Sequence, residues 1–230
     1  MSASRLFPAV GAALVNAVYP PRCARCGRRG RWVCAHCDGA LTRFAPPWCD
    51  RCGVPCADGA CRCSETTSAL TGVRSVAFFD GWLRDAIHAF KYQDEWARSQ
   101  HLGATLVGVV QSLGGVDALV PVPLHPSRLR RRGYNQSALL AKEVSRSLGL
   151  PVLNALTRNG QTRPQVGLGA EARQSNVLDA FVATGERLDD MRVALIDDVV
   201  TTGATLGECA RVLSACGPLD VVAATLARER

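Results

Sequence analysis

The sequence predicts an α/β protein: a doubly wound, mostly parallel sheet with a small cysteine-rich module at its amino end. Three observations point there. From Val73 onward, apolar runs of strand length alternate with segments of helical periodicity, the pattern of βα units that build parallel sheets. One run, Val193 to Ile196, is apolar at every position, as a strand buried on both faces must be, and it leads into the acid pair Asp197 and Asp198. Nine of the eleven cysteines fall between Cys23 and Cys63, so the thiols belong to one segment and not to the α/β core.

The chain has 230 residues, 47% of them hydrophobic, enough for one sizeable core and an accessory module. A formal net charge of +7 is compatible with an anionic substrate, with nucleic acid, or with solubility alone. Leu6 to Tyr19 is too short to span a bilayer, and Leu6, Val10, Ala13, Leu14, Ala17 and Val18 recur at helical spacing. An amphipathic helix within residues 1–21 is expected, ended by Pro20-Pro21, and no transmembrane segment.

Residues 22–66 carry the thiols. Cys23, Cys26, Cys34 and Cys37 form two Cys-x-x-Cys knuckles, the spacing of a tetrahedral Zn²⁺ site, with His36 a bystander. For a second Zn²⁺ the expected quartet is Cys49, Cys52, Cys61 and Cys63, with Cys56 spare; the alternative is a loose loop of free thiols. A segment this poor in large apolar side chains cannot fold on burial alone, so a structural metal is expected. Metal-type thiols imply a reducing compartment, hence a cytoplasmic protein. Arg22, Arg25, Arg28, Arg29, Arg31, Arg43, Arg51 and Arg62, with Trp32 and Trp48, fit either single-stranded nucleic acid or a solvated surface.

Residues 73–230 form the main domain. A strand over Val76–Phe79, a helix over Trp82–Tyr92 and a second helix over Leu102–Leu113 open it. Lys91 reads as a helix-end lysine in solvent, with reach toward a ligand as the alternative, and His88 and His101 read as packing or surface residues. Ala118–Val120 is a buried strand whose exit is stiffened by Pro121 and Pro123; Arg128, Arg130, Arg131 and Arg132 follow, and Gly133-Tyr-Asn-Gln136 opens a helix over Ser137–Leu148. Short strands are expected at Pro151–Leu153 and Val177–Val182, with a long polar segment between them from Thr157 to Asn176, and a last strand at Val221–Leu226. Cys209 and Cys216 lie on a helix over Ala204–Cys216 as core thiols.

The chemistry centres on Val193 to Thr205. After the acid pair come Val199, Val200, Thr201, Thr202, Gly203, Ala204 and Thr205, and then a helix. Gly203 permits a positive φ, short side chains let backbone N–H groups approach a ligand, and the helix turns its positive dipole end toward the loop. That suits a phosphate. Two carboxylates beside it would repel it unless the same ligand offers them hydroxyls, as ribose 5-phosphate does. The absence of a Lys before the Thr excludes a nucleoside-triphosphate loop.

Asp197 to Thr205 resembles the phosphoribosyl-pyrophosphate (PRPP) motif of type I phosphoribosyltransferases, and its surroundings, including Phe90-Lys91-Tyr92, are similar to the ComF/GntX competence-protein family. The resemblance implies a PRPP site. Thr201, Thr202, Gly203, Ala204 and Thr205 would hold the 5-phosphate, Asp197 and Asp198 the ribose hydroxyls, and Pro123, Leu124, His125 and Arg132 the pyrophosphate with Mg²⁺. Arg163, Gln165, Arg173 and Asn176 would belong to a lid, with Lys91 nearby. The implied activity is phosphoribosyl transfer to an unidentified acceptor. The alternative is a non-enzymatic competence factor that binds single-stranded DNA or DNA-uptake proteins and senses PRPP or keeps a vestigial pocket.

Overall fold

The computed structural model describes residues 20–56, 61, 69–159 and 180–230. The expected helix at Leu6–Tyr19, the lid residues Arg163, Gln165, Arg173 and Asn176, and Cys63 lie outside the described residues.

Four strands form a parallel sheet: β1 (Gly72–Phe78), β2 (Ala118–Pro121), β5 (Arg192–Val200) and β6 (Asp220–Arg228), in the order β1-β6-β5-β2. A separate antiparallel pair, β3 (Leu156–Arg158) and β4 (Phe181–Ala183), stands off it. Among the described residues the helices are α1 (Ala35–Gly39), α2 (Gly81–Tyr92), α3 (Ser99–Leu113), α4 (Pro126–Arg132), α5 (Gln136–Leu148) and α6 (Ala204–Ser214).

Alternation along the strands divides the core in two. Val76, Leu119, Ala194, Ile196 and Val222 face Trp82, Phe90, Leu106 and Leu140 of α2, α3 and α5. Val73, Val120, Val193, Leu195 and Val221 face Leu206, Cys209 and Leu213 of α6, with Leu156 and Phe181 of the hairpin. Helices on both faces make the sheet doubly wound, as the sequence predicts.

Four expectations need correction. The motif strand does not stop at the acid pair: β5 runs on to Val200, because β6 is long enough to pair Asp197 with Thr225 and Val200 with Arg228. Pro151–Leu153 makes a single parallel bridge from Val152 to Leu119 and no strand; Pro151 has no N–H to extend a ladder. The strand expected at Val177–Val182 is β4, from Phe181 to Ala183; it pairs with β3 and not with the main sheet, while 177–179 lie outside the described residues. The arginines after Leu124 occupy a helix, α4, started by Pro126 at its first turn and ended by Gly133 at φ 80°.

The cysteine module lies along the free edge of β1. Phe44 N donates to Val76 O at 2.7 Å, Val73 N donates to Arg51 O at 2.7 Å, and Arg43 bridges Ala77 antiparallel. An edge that would otherwise present unpaired backbone groups is thereby covered.

Candidate functional site

The site lies at the carboxyl ends of β2 and β5, where open α/β sheets place ligands. Asp197 and Asp198 are consecutive in a strand, so their side chains leave opposite faces of the sheet. Asp198 points to the α2 and α5 side and is 5% exposed. There Lys91 Nζ pairs with its Oδ1 at 2.7 Å and Gln136 Nε2 donates to its Oδ2 at 3.2 Å. Asp197 Oδ1 accepts from Ser137 Oγ and from Asp198 N, both at 2.9 Å. Burial, and then the charge of Asp198, push the Asp197 carboxyl up to about 7, against the pull of the Asp198 N–H, Lys91 and Ser137.

Lys91 is therefore not the solvated helix-end lysine of the sequence reading. Its side chain is 21% exposed and ion-paired, since α2 ends directly over Asp198. That end is fixed by Tyr134, whose hydroxyl donates to Phe90 O and whose ring stacks on Phe90 at 5.7 Å. Asn135 caps α5, accepting from Ser137 N at 3.1 Å, and its Nδ2 donates to Val122 O at 3.0 Å. Val122 N in turn donates to Ile196 O. Tyr134, Asn135, Gln136 and Ser137 thus tie the β2 exit loop, the end of α2 and both acids together.

On the other side of the acids, Gly203 caps α6 at φ 82° and its carbonyl accepts from Gly207 N at 2.8 Å, while Ala204 N donates to Thr202 Oγ1 at 3.3 Å. Thr201 and Thr202 are exposed, Ala204 and Thr205 half-buried, and Gly203 buried. A cavity of about 150 Å³ joins Thr205 to Asp197, Asp198, Lys91, Pro123, Leu124 and Arg132. His125 does not line it: its Nδ1 caps α4, accepting from Ser127 N at 3.2 Å. Arg128 and Arg132 reach the cavity, with Arg132 over the Tyr92 ring at 5.4 Å, while Arg130 and Arg131 are exposed on α4.

Sequence reading missed several lining residues, among them the polar Gln136, Ser137 and Arg158. Gln136 and Ser137 look like helix-opening polar residues, and only their burial, 4% exposure each, marks them as internal. Arg158 sits at the end of β3, with its guanidinium over Phe181 at 5.1 Å.

The thiols form two clusters. Sγ atoms of Cys23, Cys26, Cys34 and Cys37 lie within 4.8 Å of one another, and so do those of Cys49, Cys52 and Cys61; His36 and Cys56 belong to neither. Two turns repeat each other: Gly27 N donates to Cys23 O at 2.9 Å and Gly53 N to Cys49 O at 2.8 Å, with both glycines at φ 72°. Burial works to raise the Cys23 thiol, yet N–H donors from Cys26, Cys34 and Arg25 bring it down to about 6; burial and neighbouring sulfurs push Cys37 up to about 12. Four sulfurs this close cannot all ionise without a cation, and Zn²⁺ bound by four thiolates is the cation that fits. Cys23, Cys26, Cys34 and Cys37 would hold one ion. Cys49, Cys52 and Cys61 would supply three ligands of a second.

The fold and both kinds of site define a class: a phosphoribosyltransferase-type α/β domain joined to a zinc ribbon module. Sequence profiles agree, the double zinc ribbon domain matching residues 14–67 and the phosphoribosyl transferase domain residues 134–230. The chain is 31% identical over 208 residues to Competence protein F of Haemophilus influenzae, covering 85% of this chain and 90% of that one. It is 33% identical over 199 residues to DNA utilization protein YhgH of Escherichia coli K12, with 80% and 85% covered, and 23% identical over 201 residues to Competence protein ComFC of Streptococcus pneumoniae, with 85% and 87% covered. The chain belongs to the competence protein F family. No helix among the described residues is long and apolar enough to cross a membrane.

Proposed function

We propose that the chain binds PRPP at the end of β5 and transfers its phosphoribosyl group, working in the cytoplasm with residues 22–66 as a zinc-stapled module and 73–230 as the transferase domain. The observation that carries this is the juxtaposition, in one cavity, of the half-buried Asp197 and the buried Asp198 with a glycine-capped helix start and with Arg128, Arg132 and Arg158. The Thr201–Thr205 loop takes the 5-phosphate through backbone N–H groups, and Asp197 and Asp198 accept from the ribose hydroxyls. Pro123, Leu124 and the arginines receive the pyrophosphate, whose growing charge they stabilise as it leaves C1. His125 supports that loop by capping α4. Arg163, Gln165, Arg173 and Asn176 would close over the ligand.

Among the described residues the groups of three or more closely spaced metal ligands are the two thiol clusters, so Mg²⁺ would arrive on the pyrophosphate and not on a protein cage. When bound, it would supply further neutralisation of the leaving group. Lys91 already neutralises Asp198 from within. The test is pyrophosphate release from PRPP, screened against nucleobases, amines and oligonucleotides. Turnover with one acceptor class is expected; PRPP that binds and is never consumed would sink the transferase step.

A second reading follows from the exposed Arg28, Arg29 and Arg31 of the ribbon and from the names of the relatives, a competence protein and a DNA utilization protein. The ribbon would then bind single-stranded DNA or a DNA-uptake partner. Substituting the three arginines by Glu should abolish salt-dependent oligonucleotide binding if this holds, and unchanged binding would rule it out.

A further inference from the structure

A cavity of about 480 Å³ lies between the cysteine module and the α/β domain, and it shares no lining residue with the β5 site. Phe44 and Trp48 line it from the module; Arg74 of β1 and His101, Ala104 and Gly108 of α3 line it from the domain. It sits where the module touches the edge of β1, beside the contacts of Val73 N with Arg51 O and of Phe44 N with Val76 O. Ala104 and Gly108 are one helical turn apart, so α3 offers nearly bare backbone there, and a Cβ on Gly108 would meet nothing within 4 Å. A space of this size, at a joint between two folded units, has room for a ligand of one or two rings.

Two of the lining side chains hold an atom that is shielded from solvent and finds no hydrogen-bond partner among the described residues: Arg74 Nε and His101 Nε2. The other Arg74 nitrogens are engaged. Nη1 donates to Asp50 O at 2.9 Å and to Val73 O at 3.0 Å, and Nη2 lies 3.5 Å from Asp50 Oδ1. That Asp50 side chain is 97% exposed and screened by water, whereas the Arg74 side chain is 11% exposed, so the guanidinium keeps positive charge that its partner does not balance. The other lining guanidinium, Arg43, is closed on Asp38 at 2.7 Å. Burial, opposed by Asp38 and aided by Arg43 and Arg98, lowers the His101 pKa; the ring is neutral at pH 7 and carries one N–H. Two donors and one unbalanced cation, set beside aromatic rings and a bare helix face, call for a single anionic acceptor on a flat apolar body.

We propose that this cavity binds a small aromatic acid, whose carboxylate accepts from Arg74 Nε and His101 Nε2 and whose ring lies against Phe44, Trp48 and the Ala104–Gly108 face of α3. Nothing in this site depends on PRPP. Because module and domain both contribute walls, the occupant joins them, and its binding raises the unfolding temperature of the protein.

Calorimetry on the full-length zinc-loaded protein, at fixed pH and ionic strength, with indole-3-carboxylate, indole-3-carboxamide and acetate as probes tests it. Indole-3-carboxylate is expected to bind, the carboxamide about tenfold or more weaker, and acetate not measurably. Gly108→Leu fills the open space at a helix position that accepts a side chain; it should abolish binding of the acid while keeping the wild-type Zn²⁺ content and unfolding temperature. His101→Phe, which keeps a ring and loses the nitrogens, should weaken the acid about tenfold. Wild type that does not take up the acid, a cavity then filled by water alone, overturns the site, and so does a carboxamide that binds as tightly as the acid. Undiminished binding in Gly108→Leu overturns it as well; if that variant does not fold, undiminished binding in His101→Phe overturns it equally.

Discussion

Asp197 and Asp198 look alike in the sequence and behave differently in the fold. Asp198 is held on both oxygens, whereas Asp197 faces the cavity with its carboxyl raised to about 7. The sign follows from linkage. A carboxyl with a raised folded pKa contributes stability that is present below its unfolded value, near 3.8, and lost as pH climbs through about 7. Asp197→Asn should therefore raise the melting temperature relative to wild type more at pH 8 than at pH 5, as differential scanning fluorimetry would show; a pH-independent difference would contradict the assignment. Lys91→Ala leaves Asp198 buried without its cation and should destabilise by about 3 kcal/mol in urea unfolding. Adding Asp198→Ala to that variant should recover part of the loss, because the stranded charge is gone. The opposite facing of the two acids was not legible, because the apolar run suggests a strand that ends at Ile196 whereas β5 carries both acids within it, and Lys91, Gln136 and Ser137 as their partners were not legible either, because each reads locally as an ordinary helix-end residue.

At the scale of elements, close approach is what fixes the architecture. A Cβ at Gly103 of α3 would lie 2.4 Å from Glu143 Cβ of α5, so the helix pair depends on a missing side chain. Gly53 is tighter still: its Cβ would meet Val73 O at 2.2 Å, in a residue at φ 72°. Gly53→Ala should cost at least about 1–3 kcal/mol and loosen the second thiol cluster from β1, measurable as reduced Zn²⁺ retention. The existence of β2, β5 and β6 was legible because each contains an apolar run of strand length, although β5 and β6 extend past the apolar residues. The hairpin was not, because three-residue strands such as β3 and β4 carry no period long enough to read, and their pairing is set by tertiary contacts with Leu156 and Phe181. Helix α4 was hidden by its arginines: no residue of it is buried, so no apolar stripe announces it.

For the molecule as a whole, the zinc module and the α/β domain share a core. Cys23, Val33, Cys34 and Cys37 pack in the same cluster as Val76, Trp82 and Leu106. Arg98 of the domain lies over Trp32 of the module at 4.6 Å, Arg74 lies over Trp48 at 5.0 Å, and Arg228 donates to Cys52 O at 2.9 Å. Removing Zn²⁺ with a chelator should consequently lower the unfolding temperature of the entire protein in a single transition. Two separate transitions, with the domain unmoved, would show that the module folds apart. Thiol spacing made the metal site readable; the shared core was not readable, since nothing local in Trp32 or Trp48 says which cation covers it.

The central claim is that a phosphorylated sugar sits between Asp197 and the Thr201–Thr205 loop. Isothermal titration of PRPP into wild type and into Asp197→Ala/Asp198→Ala protein tests it most directly. Binding is predicted for wild type, strengthening as pH rises through about 7 and Asp197 sheds its proton, with loss of the signal in the double variant. Equal affinity in the two proteins would contradict the account.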